Sequence, residues 1–228
     1  MDTIDFLMHR RSIRKYKKDL VPWDNIVSVI NCALNAPIAG NIFNVKFIVI
    51  RDPDGITEIA KACHDQMWMT TAPVLIAIVG EPEHQQRYYG ARGEKLYTMQ
   101  NCAACAMSII SAAESLGLGS CWVGSFDEDK LVSCLGLPEE VNVHAIISLG
   151  FADEEPHAPP KQWFKAAVYL EKWWAGRKVP GYGYYSENVM KVTKDAGNAI
   201  KKLSKHILGK KEETEGMHHR EKRVDEER

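Results

Sequence analysis

Residues His9 to Lys18, "HRRSIRKYKK", place six Lys or Arg side chains in ten positions, although the whole 228-residue chain has a formal net charge of -1. Such a cluster suits an anion, because guanidinium and ammonium groups beside a hydroxyl can converge on the oxygens of a phosphate. In an extended segment Arg10, Ser12 and Arg14 share one face by the two-residue period of a strand. A bulk polyanion binder needs a broad basic face, which a near-neutral chain lacks. The expected anion is therefore small, and nucleic acid is not an expected partner.

Two more stretches have the composition for close approach to a ligand. "APIAGN" (Ala36 to Asn41) leads directly into an apolar run, and "GLGSCWVGSFD" (Gly117 to Asp127) follows a long helical pattern. Glycine and small residues let a backbone come near a bound group. The second stretch is not a dinucleotide fingerprint, because Trp122 occupies the third glycine position. Cys102 and Cys105 form a C-x-x-C within an apolar helix, where cysteine behaves as a small apolar residue. No second pair completes a zinc or cluster site, no H-E-x-x-H occurs, and His218 and His219 lie in the tail, so no metal is expected.

The elements that must position these residues follow from periodicity. A short helix is expected around Ile4 to Met8, capped by Asp2 or Thr3. Pro22 suits a first helical turn, and Trp23, Ile26, Ile30, Ala33 and Leu34 recur at helical spacing until "NAPIAGN". Strand "VKFIVI", helix "GITEIAKAC" and strand "APVLIAIVG" follow, the last buried on both faces because its apolar run does not alternate. A long, buried central helix is expected from about Glu94 to Leu116, ended by Gly117 and Gly119, before helix "DEDKLVSCLG" and strand "HAIISLG". Trp23, Trp68 and Trp122 read as core or interface packing, with Trp68 also able to approach a cofactor. Helices and strands alternating without a clear βαβ series imply an α+β fold.

Composition bounds the rest. With 45% hydrophobic residues the chain can bury one substantial core. Six cysteines in a chain of this length suit reduced thiols, and the longest apolar runs are too short to cross a bilayer. A cytoplasmic protein with no membrane partner is expected. From Lys201 onward nine Lys or Arg and seven Asp or Glu leave few apolar residues, so roughly the last fifteen residues are expected to be a mobile tail.

In order and spacing, "RRSIRKY", "APIAGN" and "GLGSCWVGSFD" together resemble the FMN-dependent nitroreductase family, over roughly residues 3 to 175. The resemblance implies a nitroreductase-like α+β fold: a central mixed sheet flanked by helices, a long buried central helix, and an intertwined homodimer. The FMN-binding domain would span residues 1–185, with a C-terminal helical extension and charged tail over 186–228. Arg10, Ser12 and Arg14 match the family's phosphate and ribityl contacts, and Arg11, which would also face the cofactor, sits where the family often has a further basic residue. Pro37, Ile38, Ala39 and Asn41 would lie against the isoalloxazine ring, with Ile38, Phe43 and Val45 standing where the family has serine, glutamine and tryptophan. Val123, Gly124 and Ser125 would approach the hydride-accepting nitrogen, and Lys161 in "PPKQW" would return to the phosphate.

By the same resemblance NADH or NADPH would reduce the flavin, and a small acceptor such as a nitroaromatic or quinone would then reoxidise it by a ping-pong mechanism. The flavin carries that chemistry, so no catalytic side chain is named. The aromatic stretch Trp173 to Tyr185 and a later helix would wrap the partner subunit. The alternatives are a dehalogenating or flavin-fragmenting relative of the same fold, and a non-enzymatic FMN- or anion-binding protein.

Overall fold

The computed structural model describes residues 7–173. These fall into two units that divide after Pro159. The expected domain limit at residue 185, the wrapping segment beyond Trp173, the capping residues Asp2 and Thr3, and the charged tail lie outside the described residues.

The first unit is built on four strands: β1 (Val45–Ile50), β2 (Val74–Gly80), β3 (Gly119–Val123) and β4 (Asn142–Gly150). They lie in the order β1-β2-β4-β3, and every pair is antiparallel. The one parallel pairing among the described residues is the bridge from Ser12 to Ser120, which lays the basic segment outside β3 and makes the sheet mixed. All seven residues of β2 are buried, as its unbroken apolar run predicts.

Alternation of side chains then creates two cores. Val74, Ile76, Ile78, Ala145, Ile147 and Leu149 face α1 (Trp23–Leu34) and the central helix α4 (Thr98–Ser115). Leu75, Ala77, Val79 and Ile146 face α2 (Pro53–Ala62) and α5 (Glu128–Leu135), together with Ile13 and Tyr16. Helix α2 begins where Asp52 accepts from the Gly55 N–H at 2.8 Å and Pro53 occupies its first turn. Asp127 starts α5 in the same way, accepting from the Lys130 N–H at 3.2 Å. No described helix is long and apolar enough to cross a membrane.

The structure departs from the sequence reading at three places. Gly119–Val123 is a strand, because pairing with β4 and the Ser12 bridge stabilises residues that carry no strand pattern of their own. A helix α3 (Pro82–Arg92) follows β2, with Gln85 its one buried residue, so it shows no apolar periodicity to read. The central helix is entered through a π-helical turn, Gly93–Tyr97, rather than as regular helix from Glu94. Cys102 and Cys105 are buried on α4, where burial pushes their thiols up to about 12 and about 11 and keeps them protonated.

A buried polar network joins these elements. Asn101 on α4 accepts the Ala39 N–H at 3.0 Å and donates to Asn44 Oδ1 at 2.8 Å. Asn44 donates to Thr98 Oγ1 at 3.0 Å, and Thr98 donates to the Gly93 carbonyl at 3.0 Å. Gln85 donates to the Ile42 carbonyl at 2.7 Å and more loosely to that of Ala39 at 3.3 Å. The 3-10 turn Ala39–Asn41, with Gly40 and Asn41 both left-handed, is thereby held from the central helix and from α3.

Two expectations follow. Asn101→Leu leaves the Ala39 N–H and Asn44 Oδ1 without their partner, so urea unfolding should show a loss of about 2–4 kcal/mol; an unchanged midpoint would contradict the network's role. Burial holds the His144 imidazole below the usual histidine range, with Glu128 opposing. A Cβ on Gly80 would come within 2.7 Å of its Nε2, so there is little room for relaxation. The folded state therefore keeps His144 neutral where the unfolded chain takes up a proton, near pH 6.5. Stability from this group is full above about pH 6.5 and falls as the pH drops toward the lowered folded value. Urea midpoints should decline over that range less in His144→Gln than in the parent; parallel curves would exclude the effect.

Candidate functional site

The basic segment is fixed by its backbone. Ile13 N–H donates to the Ser120 carbonyl at 2.9 Å, Lys17 N–H to that of Phe151 at 2.8 Å, and Asp153 N–H to that of Lys15 at 2.9 Å. The Glu154 carboxylate accepts from the N–H groups of both Arg14 and Lys15. Two side chains anchor the strip from below. Ile13 packs so closely on Gly119 that a Cβ there would lie 2.8 Å from Ile13 Cγ1. The Tyr16 hydroxyl donates to the Ile13 carbonyl at 2.6 Å and lies 2.7 Å from Ser148 Oγ, while burial holds its phenol well above the usual range.

With the backbone pinned, Ile13 and Tyr16 are buried and the polar side chains between them are not. Burial pushes the Cys121 thiol up, against the opposing pull of Arg14, a hydrogen bond from Ser12, and Arg10. The bridge from Ser12 to Ser120 lays the strip that carries all three beside β3. Arg14 is exposed, while Arg10 and Ser12 are half-buried. Two guanidiniums and a hydroxyl on one strip have the donor types that a phosphate requires.

The Arg11 guanidinium is held locally. Its Nη1 donates to the carbonyls of Met8, His9 and Arg10 at 3.0, 3.0 and 2.9 Å, closing the short N-terminal helical turn. It lines a cleft of about 370 Å³ with Ile13, Glu114 and Glu154. The carboxylates in that cleft make it poorer for an anion than the Arg10, Ser12 and Arg14 face.

The third stretch meets the first. Val123 is buried at the end of β3, and Gly124 and Ser125 are exposed just beyond it. The Gln66 side-chain amide donates to the Ser125 carbonyl at 3.1 Å, and Asp127 N–H donates to the Ala62 carbonyl at 2.9 Å. Trp68 lies beneath the Arg14 guanidinium, 5.9 Å from ring centroid to carbon. Arg14 and the Gly124–Ser125 loop therefore both have a neighbour in the turn after α2.

The second stretch lies elsewhere in the chain. Ala36 and Ile38 pack into the α1 and α4 core, whereas Ile13, Val123 and Trp68 belong to the core on the other face of the sheet. It also feeds β1, the edge opposite β3. Three interstrand spacings of roughly 4.8 Å separate those edges. Ile38, in the place of a serine, is half-buried against this core, while Pro37 and Asn41 are exposed. Lys161 is exposed and belongs to the second unit.

Gln66, Gln85 and Asn101 escape a reading of the sequence because each acts on a backbone group dozens of positions away. The one signal is chemical: Asn101 and Gln85 are amides at buried helix positions, and such groups need partners.

Comparison with known proteins identifies the family and the fold. The Nitroreductase family model matches residues 7–70 and 64–151. A protein of Archaeoglobus fulgidus provisionally named NADH dehydrogenase/NAD(P)H nitroreductase is 27% identical over 183 residues, 75% of this chain and 99% of its own. The FMN reductase (NADPH) of Bacillus subtilis is 22% identical over 187 residues, 75% of this chain and 73% of its own. The structure of an FMN-dependent nitroreductase from Clostridium difficile superposes with a TM-score of 0.65 at 26% identity, covering 75% of this chain and 99% of that one. With most of its first unit matched by the family model and its fold shared with a solved member, the chain belongs to the nitroreductase family.

Proposed function

We propose that this chain binds FMN through Arg10, Ser12 and Arg14 at its phosphate and through the Val123–Ser125 backbone near its ring. The chain is an NAD(P)H-dependent flavin oxidoreductase. The observation that supports the reading is the bridge from Ser12 to Ser120, which lays the strip carrying Arg10, Ser12 and Arg14 beside the strand whose far end presents exposed Gly124 and Ser125. FMN, when bound, supplies hydride and electron transfer from NADH or NADPH to a small acceptor of the nitroaromatic or quinone class, in ping-pong order. The chain's own residues bind and orient.

The separation of the stretches bears on assembly. Pro37, Ile38, Ala39 and Asn41 pack with the opposite core from Ile13 and Val123, so one chain holds only part of the three-stretch site. A second copy completes it, its Pro37–Asn41 turn lying over the ring bound by Arg14 of the first. Exposed Met99 and Met107, one helical face of α4, and exposed Trp122 on β3 supply apolar surface for such a homodimer.

Purified protein should be yellow, release FMN on denaturation, and bleach on anaerobic addition of NADH or NADPH. Arg14→Ala should weaken FMN binding by about ten-fold or more, the worth of a charge-assisted hydrogen bond, while the unfolding midpoint holds. A colourless protein without measurable FMN affinity, or unchanged affinity in Arg14→Ala, would contradict the assignment.

A further inference from the structure

The turn after α2 contains two adjacent non-glycine residues in left-handed conformation, His64 at φ 57° and Asp65 at φ 56°. Side chains disfavour that region, so such a pair persists only where its surroundings hold it. Here Asp65 N–H donates to the Lys61 carbonyl at 3.3 Å, Gln66 N–H to that of Ala60 at 3.1 Å, and Met67 N–H to that of Asp65 at 2.7 Å. The reversal carries the chain into the 3-10 turn Met67–Thr71 and delivers Gln66 and Trp68 to two different parts of the candidate site.

Gln66 uses its one side-chain amide group twice, donating to the Cys63 carbonyl at 2.9 Å and to the Ser125 carbonyl at 3.1 Å. The first bond locks the side chain to its own turn; the second pins the exposed loop. Because a peptide unit is planar, fixing the Ser125 carbonyl also fixes the direction of the Phe126 N–H. Trp68 is half-buried against the α2 and α5 core, so its ring is a firm support. The Arg14 guanidinium sits 5.9 Å from the ring centroid, within cation–π range. An exposed arginine otherwise samples many rotamers, and ordering them on ligand binding costs entropy.

We propose that Gln66 and Trp68 are positioning residues of the cofactor site, Gln66 holding the Gly124–Phe126 backbone and Trp68 holding the Arg14 guanidinium ready for phosphate. The inference rests on the FMN reading above. Its two halves are separable, and the Gln66 half is measured without cofactor.

For Trp68 the measurement is FMN affinity by fluorescence titration of the full chain. Trp68→Leu should weaken binding by about three- to ten-fold, in keeping with a cation–π contact. Trp68→Phe should recover most of the loss, and Trp68→Leu should add little to Arg14→Ala, because the two act as one unit. Equal losses from Trp68→Leu in the parent and in Arg14→Ala would overturn this half, as would unchanged affinity. For Gln66 the measurement is amide hydrogen exchange of cofactor-free protein. Gln66→Glu, which cannot donate, and Gln66→Met, which is apolar and similar in size, should both speed exchange at Gly124, Ser125 and Phe126 with global unfolding unmoved. Unchanged exchange at those amides, or acceleration spread evenly over the unit, would overturn it. Absence of FMN binding in the parent, or full affinity in Arg14→Ala, would overturn the cofactor reading and the Trp68 half with it, while the exchange result would still decide Gln66.

Discussion

Strand β2 is buried along its whole length, and the layers of the first unit follow from covering both of its faces. Each large apolar side chain removed from water contributes about 1.5–3 kcal/mol, so neither face can be left open. Helices α1 and α4 cover one face, and α2 and α5 cover the other. The stretches that carry chemistry are then distributed by which core they join. The basic segment and the Val123–Ser125 loop share the α2 and α5 side, and the Pro37–Asn41 turn falls on the α1 and α4 side.

On the first side, backbone bonds do the placing and side chains do the recognition. Ile13 and Tyr16 are buried in the core, while Arg14 stays exposed over the Trp68 ring. Glu154 satisfies two N–H groups of the same strip without covering Arg14, which remains exposed. The turn after α2 reaches both the strip and the loop, which ties the geometry of one to that of the other.

Much of this was legible in the residues. The unbroken run "VLIAIVG" and the helical recurrence of Trp23, Ile26 and Ile30 identify core elements, because burial imposes periodicity. The bridge from Ser12 to Ser120 gives that segment the extended pairing on which the expected shared face of Arg10, Ser12 and Arg14 rests. Strand β3 was hidden because Gly119, Ser120 and Cys121 have no strand preference and are held by their neighbours. Helix α3 was hidden because a nearly all-polar helix has no stripe to detect. Arg11 differs from its neighbours because nearby carbonyls at the end of a helical turn capture its guanidinium, a local contact that a two-residue period does not encode.

The central claim is that the site is shared: the Arg14 face of one copy and the Pro37–Asn41 turn of another enclose one flavin. The direct measurement is the FMN content of a mixed dimer, made by refolding together a chain carrying Arg10→Ala and Arg14→Ala and a chain carrying Ala39→Glu. Neither variant alone should retain FMN. In a shared arrangement the mixed dimer combines both lesions in one site and restores the other, so it should bind one FMN per dimer. A mixed dimer that forms and binds no FMN would contradict the account.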